Sequence, residues 1–293
     1  MILRAPHPTA LKPVFPNAGV EAAYRRELIA MVDALHAGLL SRVLRRYRQL
    51  PGIAEDDLSP SQLTAEMQRY GDEWMARLSK QAGIIARRFV EAGAAANDAI
   101  FGSALRAGGF TVKLQVTPAM QAEMDRVIGA NVKLIKSIAE DHLADVQQGV
   151  LEAFNVRKSA KDLVEELGSH VSLRRKLSES DKSYLARTRR RAEFIARDQN
   201  NKLNAAITRV RQRGFGLKKA QWLHSAASVH PREEHEAFSG EEYDIEVGHD
   251  FDDGLGPVLP GEAYNCGCVS VTLVPGFDDA APEPETESEE EAA

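Results

Sequence analysis

Apolar residues recur at helical spacing along most of the chain. From Val20 to about Leu50 they fall at Leu28, Met31, Val32, Leu35, Leu39, Leu40, Val43 and Leu44. The spacing predicts one helix there, ended by Pro51-Gly52. Ser59-Pro60-Ser61 opens a second helical stretch over about 60–106, rich in Ala and Arg and closed by Gly108-Gly109. Thr117-Pro118 then supplies an N-cap and a proline at the first helical position. The helix beyond has the clearest stripe, from Met124 through Val127, Ile128, Ile135, Ile138 and Val146 to Phe154. At about 1.5 Å per residue it would run roughly 55 Å, a length suited to a scaffold or assembly part. Ser159 starts a short amphipathic helix (Leu163, Val164, Leu167) that Gly168 ends, and 169–185 reads as polar and irregular. A last long helix covers Tyr184 to Arg213, with Phe194, Ile195, Leu203, Ala206, Ile207 and Val210 on its apolar face.

The period then changes from helical to alternating. Lys219–Leu223, Tyr243–Val247 and Val269–Val274 read as short strands between loops rich in Gly, Pro and Asp. Residues 110–116 alternate as well, and predict a strand or an extended linker. The fold class expected is mainly α, with long helices N-terminal and a small C-terminal α+β module of short antiparallel strands. Four regions follow: an extended Pro-rich arm (1–17), flexible or laid across another subunit; a helical N-terminal region (18–116); a region 117–275, comprising helices over 117–214 and the module over 217–275; and a disordered acidic tail (276–293).

Composition narrows the classes. The chain has 293 residues, 43% of them hydrophobic, ample for a buried core. No run of about 18 apolar residues marks a membrane span, and the N-terminus lacks the pattern of a secretory signal. Cys266 and Cys268 are the whole thiol inventory, too close together to staple a fold, which predicts a reducing cytoplasm. The net charge of −6 hides a strong segregation. Residues 155–219 carry 18 basic and 7 acidic side chains, whereas 220–293 carry 1 basic and 19 acidic. The middle is therefore expected to face a polyanion or a partner.

Two groups of residues offer chemistry. Arg187, Arg189, Arg190, Arg191, Arg197, Arg209, Arg211 and Arg213 all lie on the last long helix. They are candidates for contact with packaged double-stranded DNA, because Arg binds phosphates by releasing counterions without reading sequence. Pairing with acidic protein surfaces is the equal alternative. The second group is Cys266 and Cys268 with His235 and either His230 or His224. Thiolates and imidazoles suit tetrahedral Zn²⁺, although one residue between the cysteines is a shorter spacing than most structural sites use. A metal-free Cys/His cluster in the core, a Cys–His–Asn nucleophile centre and a metal-dependent nuclease remain alternatives. Trp222 reads as a core anchor, and Gly240 and Gly261 as turn residues needing unusual backbone angles.

The stretch Trp222, Arg232-x-x-His235-x-x-x-x-Gly240, Pro260-Gly261, Asn265-Cys266-x-Cys268 resembles the C-terminal signature of the phage Mu protein F-like family of minor head (head morphogenesis) proteins. The likeness is strongest over about 155–275. Ala192–Asp198 is similar to that family's Ile-Ala-Arg-Thr-Glu segment but departs from it at Asp198. Two further departures are Ser225-Ala226-Ala227, where an acid often follows the Trp, and Gly267, where Arg usually separates the cysteines. The resemblance implies a non-enzymatic virion protein inside the capsid near the portal, assembled in the bacterial cytoplasm and acting in procapsid assembly and DNA packaging. Its implied partners are the portal protein and the major capsid or scaffold proteins, with no membrane. Two alternatives stand beside it: a metal-dependent, nuclease-like enzyme carried in the virion, and a general DNA-binding protein.

Overall fold

The computed structural model describes residues 8–48, 60–168, 182–225, 232–252, 254 and 256–275. The protein is mainly α, with a small antiparallel sheet at its C-terminal end. The order is β1 (Thr9–Ala10), α1 (Ala18–Arg48), α2 (Pro60–Ala107), α3 (Pro118–Asn155), α4 (Ala160–Leu167), α5 (Tyr184–Gly214), β2 (Lys219–Leu223), α6 (Glu233–Ala237), β3 (Glu242–Asp244) and β4 (Val269–Val274). Among the described residues no helix is long and apolar enough to cross a membrane.

Local sequence sets the helix boundaries. The Thr117 hydroxyl accepts the Met120 N–H, with Pro118 opening α3. Ser159 accepts Asp162 N–H at the start of α4, and Ser183 accepts Ala186 N–H at the start of α5. Each cap satisfies a donor that the first helical turn leaves orphaned. The apolar stripes of α1 to α5 meet in one core that includes Leu28, Leu35, Leu39, Ile135, Ile138, Leu163, Leu185 and Leu203. Residues 110–116 form no strand and serve as the extended connection into α3.

The sheet has the order β1-β4-β2-β3, antiparallel throughout. The β2–β4 register pairs Ala220 with Thr272, Trp222 with Ser270 and Leu223 with Val269. β3 is shorter than the alternation suggests: Ile245 to Val247 turn instead of continuing the ladder, because the Asp244 carboxylate accepts Glu246 N–H at 2.7 Å.

The described part of the N-terminal arm packs within its own chain. Thr9 and Ala10 pair with Val274 and Leu273, so the sheet is not built from C-terminal residues alone. Leu11 and Val14 are buried against Phe101, Ala104 and Leu105 near the end of α2. Asn204 on α5 donates to the Val14 carbonyl at 2.7 Å, and Asn200 to the Asn17 carbonyl. Pro8, Pro13 and Pro16 hold this stretch extended, and its apolar residues Leu11 and Val14 find a groove at the α2 end. The proposed acidic tail, 276–293, lies outside the described residues, as do the Pro51-Gly52 break and residues 169–181.

Candidate metal centre

The C-terminal module is built around Trp222, which is fully buried on β2 with Ala220, Tyr243, Ile245, Cys266 and Cys268. The rings of His235, Phe238, Tyr243 and Phe251 meet the indole edge-on at centroid distances of 5.1–5.9 Å. Such T-shaped contacts match the positive edge of one ring to the negative face of another. The second face of His235 stacks on Phe251 at 4.4 Å. His235 on α6 is thereby held 3% exposed with its Nδ1 directed at sulfur.

That nitrogen lies 3.6 Å from Cys266 Sγ and 3.8 Å from Cys268 Sγ. One ligand atom from each of His235, Cys266 and Cys268 falls within 4.8 Å of the others, and all three residues are buried. His224, one residue past β2, places its Nδ1 3.6 Å from Cys268 Sγ. A tetrahedral zinc with Zn–S of about 2.3 Å and Zn–N of about 2.0–2.1 Å would have S···N edges of about 3.5 Å. The observed separations are of that size. His230, the other imidazole considered for the site, lies outside the described residues.

The two thiols behave as a pair. Hydrogen bonding to Cys268, opposed by burial and reinforced by His235, holds Cys266 well below the ordinary thiol range. Acting as the donor to Cys266, and itself desolvated, Cys268 is pushed up. The Trp222 indole N–H makes no hydrogen bond of ordinary geometry, yet it lies near enough to Cys268 to favour that thiolate. The two sulfurs are thus shifted in opposite directions beside an imidazole, and a dication bound among them would favour the thiolate form of both.

Helix α5 braces the cysteine turn from behind. Asp198 is 5% exposed and accepts the Asn265 N–H at 2.8 Å, while Arg197 Nε donates to Asn265 Oδ1 at 3.2 Å. Asn201 donates to the Cys266 carbonyl. Asn265 adopts φ 55°, a left-handed conformation that Asn tolerates and that turns the chain into Cys266. Gly261 has φ 80°, and a Cβ there would lie 2.9 Å from Ala205 Cβ and 3.2 Å from the Cys268 carbonyl. Only glycine lets this loop lie so close to α5. Pro260 is buried beside it. Gly240, with φ 101°, turns the chain out of α6 and donates to the Trp222 carbonyl. Arg232 donates to the Tyr264 carbonyl at 3.1 Å, fastening the α6 end to the cysteine loop. Asp198 and Asn201 shape the site although periodicity marks neither. Their only sequence signal is polarity on the inward side of an amphipathic helix.

The structure places the arginines differently from an open basic face. Arg189 binds Asp33 on α1, Arg211 binds Asp98 on α2, and Arg191 binds Asp141 on α3. Arg209 and Arg213 bind Glu262 and Glu246 in the module. Arg187 lies over the Tyr184 ring, Arg197 on Asn265, and Arg190 is also engaged. Five of the eight therefore join α5 to its neighbours through carboxylates of the same chain. Two of these pairs, Arg209–Glu262 and Arg213–Glu246, bring the basic and acidic segments of the sequence together in the fold.

The chain is 28% identical over 279 residues to an uncharacterized protein of Haemophilus influenzae, an alignment covering 90% of this chain and 55% of that protein. It therefore spans about half the length of the relative it matches. No family model matches the chain, and no solved structure does.

Proposed function

We propose that the chain is a non-enzymatic structural protein of phage heads, a minor head protein acting near the portal in procapsid assembly and DNA packaging. In this reading Zn²⁺, held by His235, Cys266 and Cys268, stabilises the module as a compact knob, while the long helices supply docking surface for portal and capsid or scaffold proteins. One observation carries it. Trp222, His235, Cys266 and Cys268, all part of the resemblance to Mu F-like head proteins, converge in one buried cluster. The remaining motif residues support the same unit: Arg232, Gly240, Gly261 and Asn265 shape or fasten its loops. The α5 arginines contribute chiefly rigidity, since their carboxylate partners lie on α1, α2, α3 and the module.

The test is mass spectrometry of purified phage particles together with co-purification against the portal protein of the same phage. The expected result is the intact chain in the head at low copy number and a portal complex at micromolar concentration. Particles that lack the chain would overturn the reading.

A nuclease-like enzyme is the second reading. What favours it is a cleft of about 250 Å³ lined in part by Arg197, Asn200, Asn201, Asn265 and Gly267, beside the cysteine turn. EDTA-sensitive nicking of plasmid DNA, lost in His235→Ala, would establish it in place of the structural role.

A further inference from the structure

We propose that His224 is the fourth ligand of the metal, so that His224, His235, Cys266 and Cys268 form a closed Cys₂His₂ site with no coordination position left for a substrate or water. The inference rests on the zinc reading above and deepens it, because the fourth position decides whether the metal is a clasp or a reaction centre.

Strand register supplies the first support. β2 and β4 pair Trp222 with Ser270 and Leu223 with Val269. Continued by one residue, the same register sets His224 opposite Cys268. Directly opposed residues in an antiparallel pair share a face and keep their Cβ atoms about 4.5–5.5 Å apart. The proximity of the imidazole to this sulfur therefore follows from the backbone and does not depend on a chance rotamer. Side chains alternate along a strand, so His224 shares the face of Trp222, the face against which the His235 ring packs.

Distance supplies the second support. His224 Nδ1 to Cys268 Sγ is 3.6 Å, the same as His235 Nδ1 to Cys266 Sγ. His224 now meets the group at Cys268, while the other three residues are all in mutual range. Its ring is half-buried at the end of a strand, where rotation about the side-chain bonds can carry Nδ1 towards the common centre. The backbone beneath it is fixed, since His224 N–H donates to Ser239 Oγ at 3.0 Å.

Charge supplies the third. Two thiolates and two neutral imidazoles around Zn²⁺ give a neutral unit, which suits a buried site. The four ligands come from the end of β2, from α6 and from the turn before β4. The closed site would thus tie together three elements that already pack around Trp222.

The experiment uses the full-length chain. Zinc content is measured by elemental analysis after purification and zinc reconstitution, ligand type by X-ray absorption, and affinity by competition with a chromogenic chelator. These are applied to the wild type, His224→Ala, His224→Cys and His230→Ala. The expected result is one zinc per chain with two sulfur and two imidazole ligands in the wild type. His224→Ala should lose affinity by about 100-fold, the upper end of what even an outer-shell change costs, and His224→Cys should recover most of it. His230→Ala should bind as the wild type does. Zinc bound with an oxygen in the fourth place, or loss of affinity in His230→Ala with none in His224→Ala, overturns this inference and leaves the zinc reading standing. A reconstituted wild type without zinc overturns both.

Discussion

Arg189 and Asp33 form a two-pronged ion pair, with Nε and Nη2 of the guanidinium each 2.7 Å from a different oxygen of the carboxylate. The Arg189 side chain is 5% exposed, so α5 is fastened to α1 inside the bundle and not at its surface. Removing one partner of such a pair leaves the other charge poorly solvated. Arg189→Ala is expected to lower stability by about 3 kcal/mol in urea unfolding. Arg189→Lys should restore only part of it, since an ammonium cannot make the paired bonds of the planar fork.

A buried histidine pair makes the bundle sensitive to acid. His36 Nδ1 lies 3.1 Å from His142 Nε2, His36 Nε2 lies 2.9 Å from the Gly168 carbonyl, and His142 Nδ1 lies 2.8 Å from Thr188 Oγ1. Burial first, then the neighbouring His36, depress His142 to about 3. The unfolded chain therefore binds this proton more readily than the folded one. The stabilisation is complete above about pH 6.5 and is lost progressively as the pH falls towards 3. Between pH 6.5 and 5 the loss should reach about 2 kcal/mol, visible as a falling urea midpoint. His142→Gln should flatten that slope. An unchanged slope in the variant would place the acid sensitivity elsewhere.

Gly261→Ala tests the close approach of the cysteine loop to α5. The substitution forces a side chain into φ 80° and against both Ala205 and the Cys268 carbonyl. A cost of about 1–3 kcal/mol is expected, read as a drop in melting temperature of several degrees. Because the displaced carbonyl belongs to Cys268, zinc affinity should fall with it. A fully stable variant would show that the loop can retreat from the helix.

The arm can be tested by removing residues 1–16. Leu11 and Val14 cover Phe101, Ala104 and Leu105, and their loss bares an apolar patch on α2. Self-association in sedimentation velocity is the expected outcome, together with a lower melting temperature. A monomer as stable as the full chain would make the arm dispensable to the fold.

Duplex DNA affinity is expected to depend weakly on salt. Eight phosphate contacts would give a slope of about −7 in log K against log salt. Five of the eight arginines are held by internal carboxylates, so the slope should remain well short of that value. A slope near −7 in fluorescence anisotropy would mean that those pairs open on DNA.

Much of the fold can be read from the chain because its signals are local. Thr117-Pro118 and Ser159 mark helix starts through bonds to residues three positions on, and Gly168 marks a stop, its N–H donating back to the Val164 carbonyl. β2 and β4 show in runs of five and six residues. The partners of the arginines are not local. Asp33 is 156 positions from Arg189, and Asp141 is 50 from Arg191. A run of charge on a helix looks alike whether it faces solvent or answers distant carboxylates. The Cys/His group was legible for another reason: the two cysteines are the whole thiol inventory of the chain, and histidines suited to lie beside them are few. The sequence leaves His230 and His224 as equal candidates beside it, and the preference for His224 comes from the β2–β4 register, which no spacing along the chain encodes.

The pairing of β1 with β4 joins residues far apart in sequence, Thr9 to Val274 and Ala10 to Leu273. Closing so large a loop is slow compared with folding of the helices, which need only near neighbours. Until it closes, the patch around Phe101 lacks a fixed cover. The expected order of folding is therefore the bundle first, with this outermost strand pair zipped on at the end.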